Sequence, residues 1–202
     1  MKPLILASAS PRRKALLEGL GLRIDVRPSG AEEIMEGAPR DVVAANARAK
    51  CGGVAAEAAP GGVAIGADTI VVLDGDILGK PAGLEEAREM LRRLSGRTHV
   101  VITGVAVRET GKAGRAQWDT EETEVTFREL NEEEIERFIG IVKPLDRAGA
   151  YTVDGPGSLL VRSYHGCYYN VLGLPLVCLD MLLRELGVQL FHALDTRRAV
   201  FL

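Results

Sequence analysis

Short, wholly apolar runs alternate along this chain with segments whose apolar residues recur at helical spacing, the pattern of strands covered by helices. Pro3–Ala7 reads as a short buried strand, followed by a polar turn through Ser8 and Ser10. Pro11 suits a helix's first position and Ser10 its N-cap, so a helix is expected over Arg12–Leu20, ended by Gly19 and Gly21. Leu22–Arg27 alternates like a half-buried strand, and Arg40–Ala59 is Ala-rich and helical. Val63–Leu73 is the most apolar stretch of the first half and predicts a central strand, with Asp74-Gly75 turning the chain into Ile77-Leu78. A helix over Leu84–Leu94, a buried strand over Thr98–Val107 and a paired strand over Glu122–Phe127 follow. Asn131 caps a helix reaching about Ile141, Leu159–Val161 predicts a short strand, and Leu174–Leu186 a last helix. The expected fold class is α/β with a mixed sheet.

Composition narrows this picture. The 202 residues are 47% hydrophobic with a formal net charge of −3, enough to bury a core and without the signature of disorder. Aromatic residues make up only 4%, which argues against a stacking platform for single-stranded nucleic acid. Against a slightly acidic mean field, any polyanion site has to gather its positive charge locally. Cys51, Cys167 and Cys178 form no C-x-x-C pair and suggest a reducing compartment. Leu4–Ala7 is too short for a signal-peptide core and no run reaches membrane-spanning length, so a cytoplasmic protein with neither membrane nor nucleic-acid partner is expected.

Three constellations carry candidate chemistry. Ser8, Ser10, Arg12, Arg13 and Lys14 sit between a strand end and a helix start, where free N–H groups, the helix dipole, hydroxyls and cations suit a phosphate. The alternative is an ordinary capped helix with solvated basic residues; no G-x-x-x-x-G-K-S/T loop exists to support a kinase or GTPase. Asp68, in Gly66-Ala67-Asp68-Thr69, stands inside an apolar run, where an ionised carboxylate needs a partner. It is a metal ligand, a base for water, or both; alternatively it caps local backbone. Glu32, Glu33, Lys50, Lys80, Asp146 and Arg147 could complete a Mg²⁺ and phosphate site or be solvated surface charges. His99 reads as a core or strand-edge histidine, and His165 and His192 have no partner at metal-ligand spacing, which argues against zinc chemistry. No nucleophilic Ser or Cys stands in a recognisable motif with a His and an acid.

The stretches LILASASPRRKALL, IGADTIVVLDGDILGKP, MLRRLSGRTHVVITGVAV, PLDRAGAYTVDGPG and NVLGLPL, in this order, resemble the Maf family of nucleoside triphosphate pyrophosphatases. The resemblance covers about residues 4–187, which implies a domain over residues 1–187 and leaves 188–202 as a C-terminal tail. It implies a two-lobed α/β single domain with an elongated mixed sheet and a central cleft, like the inosine triphosphatases, together with dimers and dependence on a divalent cation, Mg²⁺ or Mn²⁺. It implies hydrolysis of a nucleoside triphosphate to monophosphate and diphosphate, as house-cleaning of the nucleotide pool. By the same resemblance Asp68 is the proton acceptor, Arg12 and Thr69 govern substrate choice, and Ser8, Ser10, Arg13, Lys50 and Lys80 line the phosphate end. Either Glu32 or Glu33 stands near the metal, with Asp68.

Two positions depart from the branch acting on dTTP and UTP, which reads D-K-A-G-A-Y and then apolar-Gln-Gly. Arg147 replaces the lysine, keeping charge but not geometry, and Asp154 replaces the glutamine, so an acceptor-only carboxylate stands where an amide would donate. The sister branch acting on methylated GTP carries an acid near this position but differs in its D-C-A-G-S-F-like segment. The AGAY segment favours dTTP and UTP; a generic pyrophosphatase is equally compatible. The alternative to an enzyme is a nucleotide-binding regulator of cell division or septation that does not depend on turnover.

Overall fold

A computed structural model describes residues 2–195 and 197–200 of the chain. Among these, seven strands form one mixed sheet in the order β2-β1-β3-β5-β6-β7, with β4 paired to β3. The strands are β1 (Leu4–Leu6), β2 (Ile24–Val26), β3 (Val63–Leu73), β4 (Asp76–Leu78), β5 (Thr98–Glu109), β6 (Ala116–Phe127) and β7 (Val161–Gly166). Pairings of β1 with β2 and with β3 are parallel; those of β3 with β4 and of β6 with β7 are antiparallel. The helices are α1 (Pro11–Gly19), α2 (Pro39–Glu57), α3 (Leu84–Leu94), α4 (Glu132–Val142), α5 (Tyr168–Val171) and α6 (Leu176–Glu185). The α/β class with a mixed sheet is therefore as expected.

The chain divides into two compact units. The first comprises Met1–Asp68, Thr103–Glu121 and Gly173–Leu202; the second comprises Thr69–Ile102 and Glu122–Leu172. In the first unit the period-2 alternation of the strands sorts side chains onto two faces. Leu4 and Leu6 of β1, Val63, Ile65 and Ala67 of β3, and Val105 and Val107 of β5 bury with Leu17 of α1 and Leu179, Leu182 and Leu183 of α6. Ile5, Ala7, Ala64 and Ala106 point the other way, onto Ala47, Cys51, Val54 and Ala55 of α2 and its C-cap Ala58. The small residues of that helix face let it lie close. It lies closest at two glycines: a Cβ on Gly66 of β3 would sit 2.4 Å from the Ala47 carbonyl oxygen, and one on Gly104 of β5 2.4 Å from that of Val43. Burial pushes the Cys51 thiol up to about 12, and it donates to the Ala64 carbonyl, so it serves packing rather than nucleophilic chemistry.

The tail belongs to this unit as well. Leu190 is buried in the core formed by α1 and α6, Ala193 and Leu194 pack against it, and the Val200 N–H donates to the Gly19 carbonyl at 2.9 Å. Thr196, Phe201 and Leu202 of the tail, and Met1, lie outside the described residues.

The second unit buries the apolar faces of α3 and α4 with Val71, Leu73, Val101, Val125 and Phe127 from the strands. Asn131 and Glu134 close a reciprocal capping box at the start of α4. His99 is buried, as the sequence suggests: its Nε2 lies 2.7 Å from the Tyr151 hydroxyl, and Phe127 and Tyr151 meet its ring edge-on. Burial lowers its pKa from 6.5 to about 4. Between those values the unfolded chain binds the proton and the folded chain does not, so stability falls as pH drops through this window. Replacing His99 with Gln is expected to flatten the acid side of the unfolding midpoint against pH between about 6.5 and 4, by at most about 1.4 kcal/mol per pH unit. An unchanged slope in chemical denaturation would remove His99 from the acid response.

Three element boundaries differ from expectation. Leu159 ends a 3₁₀ helix, Gly155–Leu159, rather than starting a strand, and the strand β7 begins at Val161. The strand escapes hydropathy because Arg162 to Gly166 are exposed at the sheet edge. For the same reason β6 starts at Ala116, six residues before the apolar alternation does, since its first four residues are exposed. The last helix starts at Leu176, after Pro175, which cannot lie deeper in a helix.

Candidate active site

The site is built from the face of β3 that α2 covers. Alternation puts Asp68 on the side of Ala64 and Gly66, facing the helix. Asn46 and Lys50 are four residues apart on α2 and so share one helix face. The close seating of α2 at Gly66 brings that face to the Asp68 carboxylate. Lys50 Nζ donates to Asp68 Oδ1 at 2.6 Å and also pairs with Glu33 Oε1 at 2.7 Å. Asn46 Nδ2 donates to Asp68 Oδ2 at 2.9 Å. Side chains of Lys50 and Asp68 are only 12% and 10% exposed, so each charge needs the other: a buried ion pair stabilises little, but removing one partner leaves the other costly.

Of the acidic doublet, the structure brings Glu33 to Lys50; Glu32 is its exposed neighbour and is not part of this network. Asn46 was not singled out by the sequence. The signal that could have found it is a polar residue one turn after Val42 and Val43 and one turn before Lys50, on the buried side of α2.

The phosphate-like constellation at α1 divides between two tasks. Ser10 is the N-cap, its hydroxyl accepting the Arg13 N–H at 3.5 Å. Ser8 is buried and its hydroxyl oxygen accepts from the Ser10 N–H and from Arg13 Nη1, each at 3.2 Å. Arg13, expected among the phosphate-facing cations, is buried. Its Nε donates to the Gly173 carbonyl at 2.8 Å and its Nη1 to the Ala67 carbonyl at 2.9 Å. Burial lowers its pKa from the ordinary guanidinium value, and the negative charges of Asp68 and Glu33 oppose that shift while Arg12 adds to it. Arg13 thus braces α1 against the middle of β3, and Arg12, half-buried, is the next cation on that turn. Lys14 points away into solvent, 3.8 Å from Glu18.

The remaining expected residues lie in the second unit. Thr69 follows Asp68 and is half-buried; Lys80 is exposed. The Gly149 N–H donates to the Gly79 carbonyl at 3.1 Å, which ties the Lys80 segment to the Arg147 segment. Arg147 has Nε 3.5 Å from Asp146 Oδ1, and its buried Nε and Nη1 make no hydrogen bond among the described residues. Asp154 is exposed and accepts a hydrogen bond from the Thr152 hydroxyl through Oδ1.

Asp68, Asn46, Lys50 and Glu33, and the capped turn of α1, all fall within the range of a known family: the Maf-like proteins match residues 3–186 of this chain. The chain belongs to the Maf family. Among its curated relatives, a dTTP/UTP pyrophosphatase of Anaeromyxobacter dehalogenans (strain 2CP-C) is 47% identical over 190 residues, covering 93% of this chain and 95% of the relative. A dTTP/UTP pyrophosphatase of Dictyoglomus thermophilum is 46% identical over 192 residues, covering 94% and 98%. One from Bacillus cereus (strain ATCC 10987 / NRS 248) is 45% identical over 195 residues, covering 96% and 94%. A solved HAM1 protein of Coxiella burnetii overlaps 63% of this chain and 73% of its own at 19% identity, with a TM-score of 0.45. In this Maf protein the match spans the Asp68 segment, the Lys50 helix, and Arg147 and Asp154 in the segment after α4.

No three His, Cys, Asp or Glu side chains of the described residues come together as a metal-binding group, and no described helix is long and apolar enough to cross a membrane. What the site offers a cation is two carboxylates, Asp68 and Glu33, already gathered around one ammonium. Mg²⁺ and Mn²⁺ take one or two carboxylates and complete their shell with water and phosphate oxygens, so this oxygen-donor set fits such an ion with a polyphosphate as co-ligand. It does not fit zinc, which prefers three or four protein ligands rich in nitrogen or sulfur.

Proposed function

We propose that this Maf protein hydrolyses the α–β phosphoanhydride of nucleoside triphosphates, releasing a nucleoside monophosphate and diphosphate, with dTTP and UTP as preferred substrates. The observation that carries the reading is a nearly buried carboxylate, Asp68, held from two sides by Lys50 and Asn46 in the segment by which the family is known. The names borne by relatives at 45–47% identity over nearly the whole chain support turnover and do not favour a regulator that only binds nucleotide.

In this mechanism Asp68 orients a water molecule against the α phosphorus and takes its proton. The water oxygen bonds to that phosphorus as the bond to the bridging oxygen breaks, and the electron pair leaves with the diphosphate. Arg12 and Lys50 supply positive charge to the phosphates, and the Ser10 hydroxyl and the positive end of the α1 dipole add to it. A Mg²⁺ or Mn²⁺ held by Asp68 and Glu33 would neutralise further phosphate charge. Lys50 then exchanges part of its pairing with the two carboxylates for pairing with phosphate. Catalysis is positioning and charge stabilisation, with the residues set before substrate arrives. The roles proposed for Thr69 and Lys80 rest on the family resemblance. The role proposed for Arg147 rests on the same resemblance.

Pyrophosphate release measured over a panel of canonical and modified nucleoside triphosphates tests this directly. Release from dTTP and UTP above the others is expected; tight nucleotide binding with no product from any of them would contradict the proposal and favour the regulator. In the same panel Asp154→Gln is expected to shift preference further towards dTTP and UTP, because an amide can donate to a pyrimidine carbonyl and a carboxylate cannot. An unchanged profile would remove Asp154 from base selection. We further propose a homodimer, as the resemblance implies, and a cytoplasmic location, as the cysteine usage suggests; sedimentation of the full chain at monomer mass would contradict the former.

A further inference from the structure

Asn46 is 2% exposed on the buried side of α2, and the hydrogen bonds of its carboxamide all leave the helix. Its Oδ1 accepts the Ile34 N–H at 2.8 Å, and its Nδ2 donates to the Ile34 carbonyl at 2.9 Å and to Asp68 Oδ2 at 2.9 Å. The amide orientation is unambiguous: reversed, it would set its oxygen against both a carbonyl and a carboxylate. The Ile34 N–H belongs to the peptide that joins it to Glu33. A single side chain therefore grips the backbone beside one carboxylate of the site and the side-chain oxygen of the other.

Packing alone does not call for this residue. Val42 and Val43, a turn before it, are buried aliphatic residues on the same side of the helix, and an amide beside them is tolerated only with its polar atoms bonded. No other side chain of this size both accepts once and donates twice in one plane, as this place requires. Aspartate would lose both donors and set a second negative charge against Asp68; leucine would lose all three bonds.

Resting on the pyrophosphatase reading above, we propose that Asn46 is a positioning residue that fixes the Asp68 carboxylate and the Glu33 segment relative to each other, so that the pair is preorganised for cation and water. It touches neither substrate nor reacting atoms. Lys50 holds the same two carboxylates by charge and is free to swing towards phosphate; Asn46 maintains their spacing when it does.

The test is Asn46→Leu in the full chain. Groups that orient a ligating or reacting side chain are typically worth about 10–100-fold, so kcat for pyrophosphate release is expected to fall by that factor with KM for the triphosphate within about twofold. Mn²⁺ binding to the nucleotide-free protein, read by electron paramagnetic resonance, is expected to weaken by a similar factor. Should Asn46→Leu not fold by circular dichroism, Asn46→Ser decides, since serine is smaller and cannot span both partners. Unchanged kcat and Mn²⁺ affinity in a folded variant would overturn the role of Asn46 while wild-type turnover leaves the enzymatic reading standing. A loss matching only the unfolded fraction would overturn it too. Wild type that releases no pyrophosphate from any triphosphate would overturn the enzymatic reading itself, and this inference with it.

Discussion

Asp68→Asn is expected to lower pyrophosphate release by about 10²–10⁴-fold, the usual contribution of a positioned base, while the protein stays folded. Asparagine keeps the size of the side chain and an oxygen that can accept from Lys50 or Asn46, so the packing of β3 against α2 survives. What it loses is the capacity to take a proton and half of the negative charge that Glu33 and Asp68 present around Lys50. Because binding of the triphosphate depends chiefly on cations and N–H donors, KM should change much less than kcat. The measurement is steady-state pyrophosphate release alongside the unfolding midpoint. A variant with near-normal kcat would show that another group primes the water; one that loses activity only by unfolding would say nothing for a base and would make Asp68 structural.

The second large effect is expected at a residue with no functional group. Gly66→Ala puts a methyl group 2.4 Å from the Ala47 carbonyl oxygen and 2.7 Å from the Cys51 nitrogen, both backbone atoms of α2. No rotamer relieves such a contact, so the helix has to lift from the sheet. Overpacking of this kind costs about 1–3 kcal/mol. The lift also carries Asn46 and Lys50 away from Asp68, whose hydrogen bonds at 2.9 and 2.6 Å leave no slack. Activity should therefore fall further than the folded fraction does. Comparison with Gly104→Ala separates the two consequences, since that methyl meets the same helix at Val43, about a turn before Asn46. Equal stability losses with a larger activity loss at Gly66 are expected. Full activity in a stable Gly66→Ala protein would show that the seating of α2 does not set the site.

Much of this arrangement could be read in the residues, and the reasons are physical. The apolar run Val63–Leu73 gave its strand because a strand buried on both faces carries no polar alternation to blur, and Asp68 stood out inside it because an ionised group there needs partners. Ser10 and Pro11 marked the start of α1 through capping chemistry, which is local. Which cations face a ligand was not legible, because that depends on tertiary packing. Arg12 and Arg13 are adjacent in sequence, yet Arg13 is spent on the Gly173 and Ala67 carbonyls. Asn46 was hidden for the same reason, since its partners Ile34 and Asp68 are 12 and 22 residues away. The edge strand β7 escaped because an exposed edge has no hydrophobic pattern to display.

The central claim is that water, primed at the α2–β3 cluster, attacks the α phosphorus. Hydrolysis of dTTP in ¹⁸O-enriched water, followed by mass spectrometry of both products, tests it most directly. One ¹⁸O atom in the thymidine monophosphate and none in the diphosphate is the predicted result. Label in the diphosphate, or a diphosphate nucleoside with free orthophosphate as products, would contradict it.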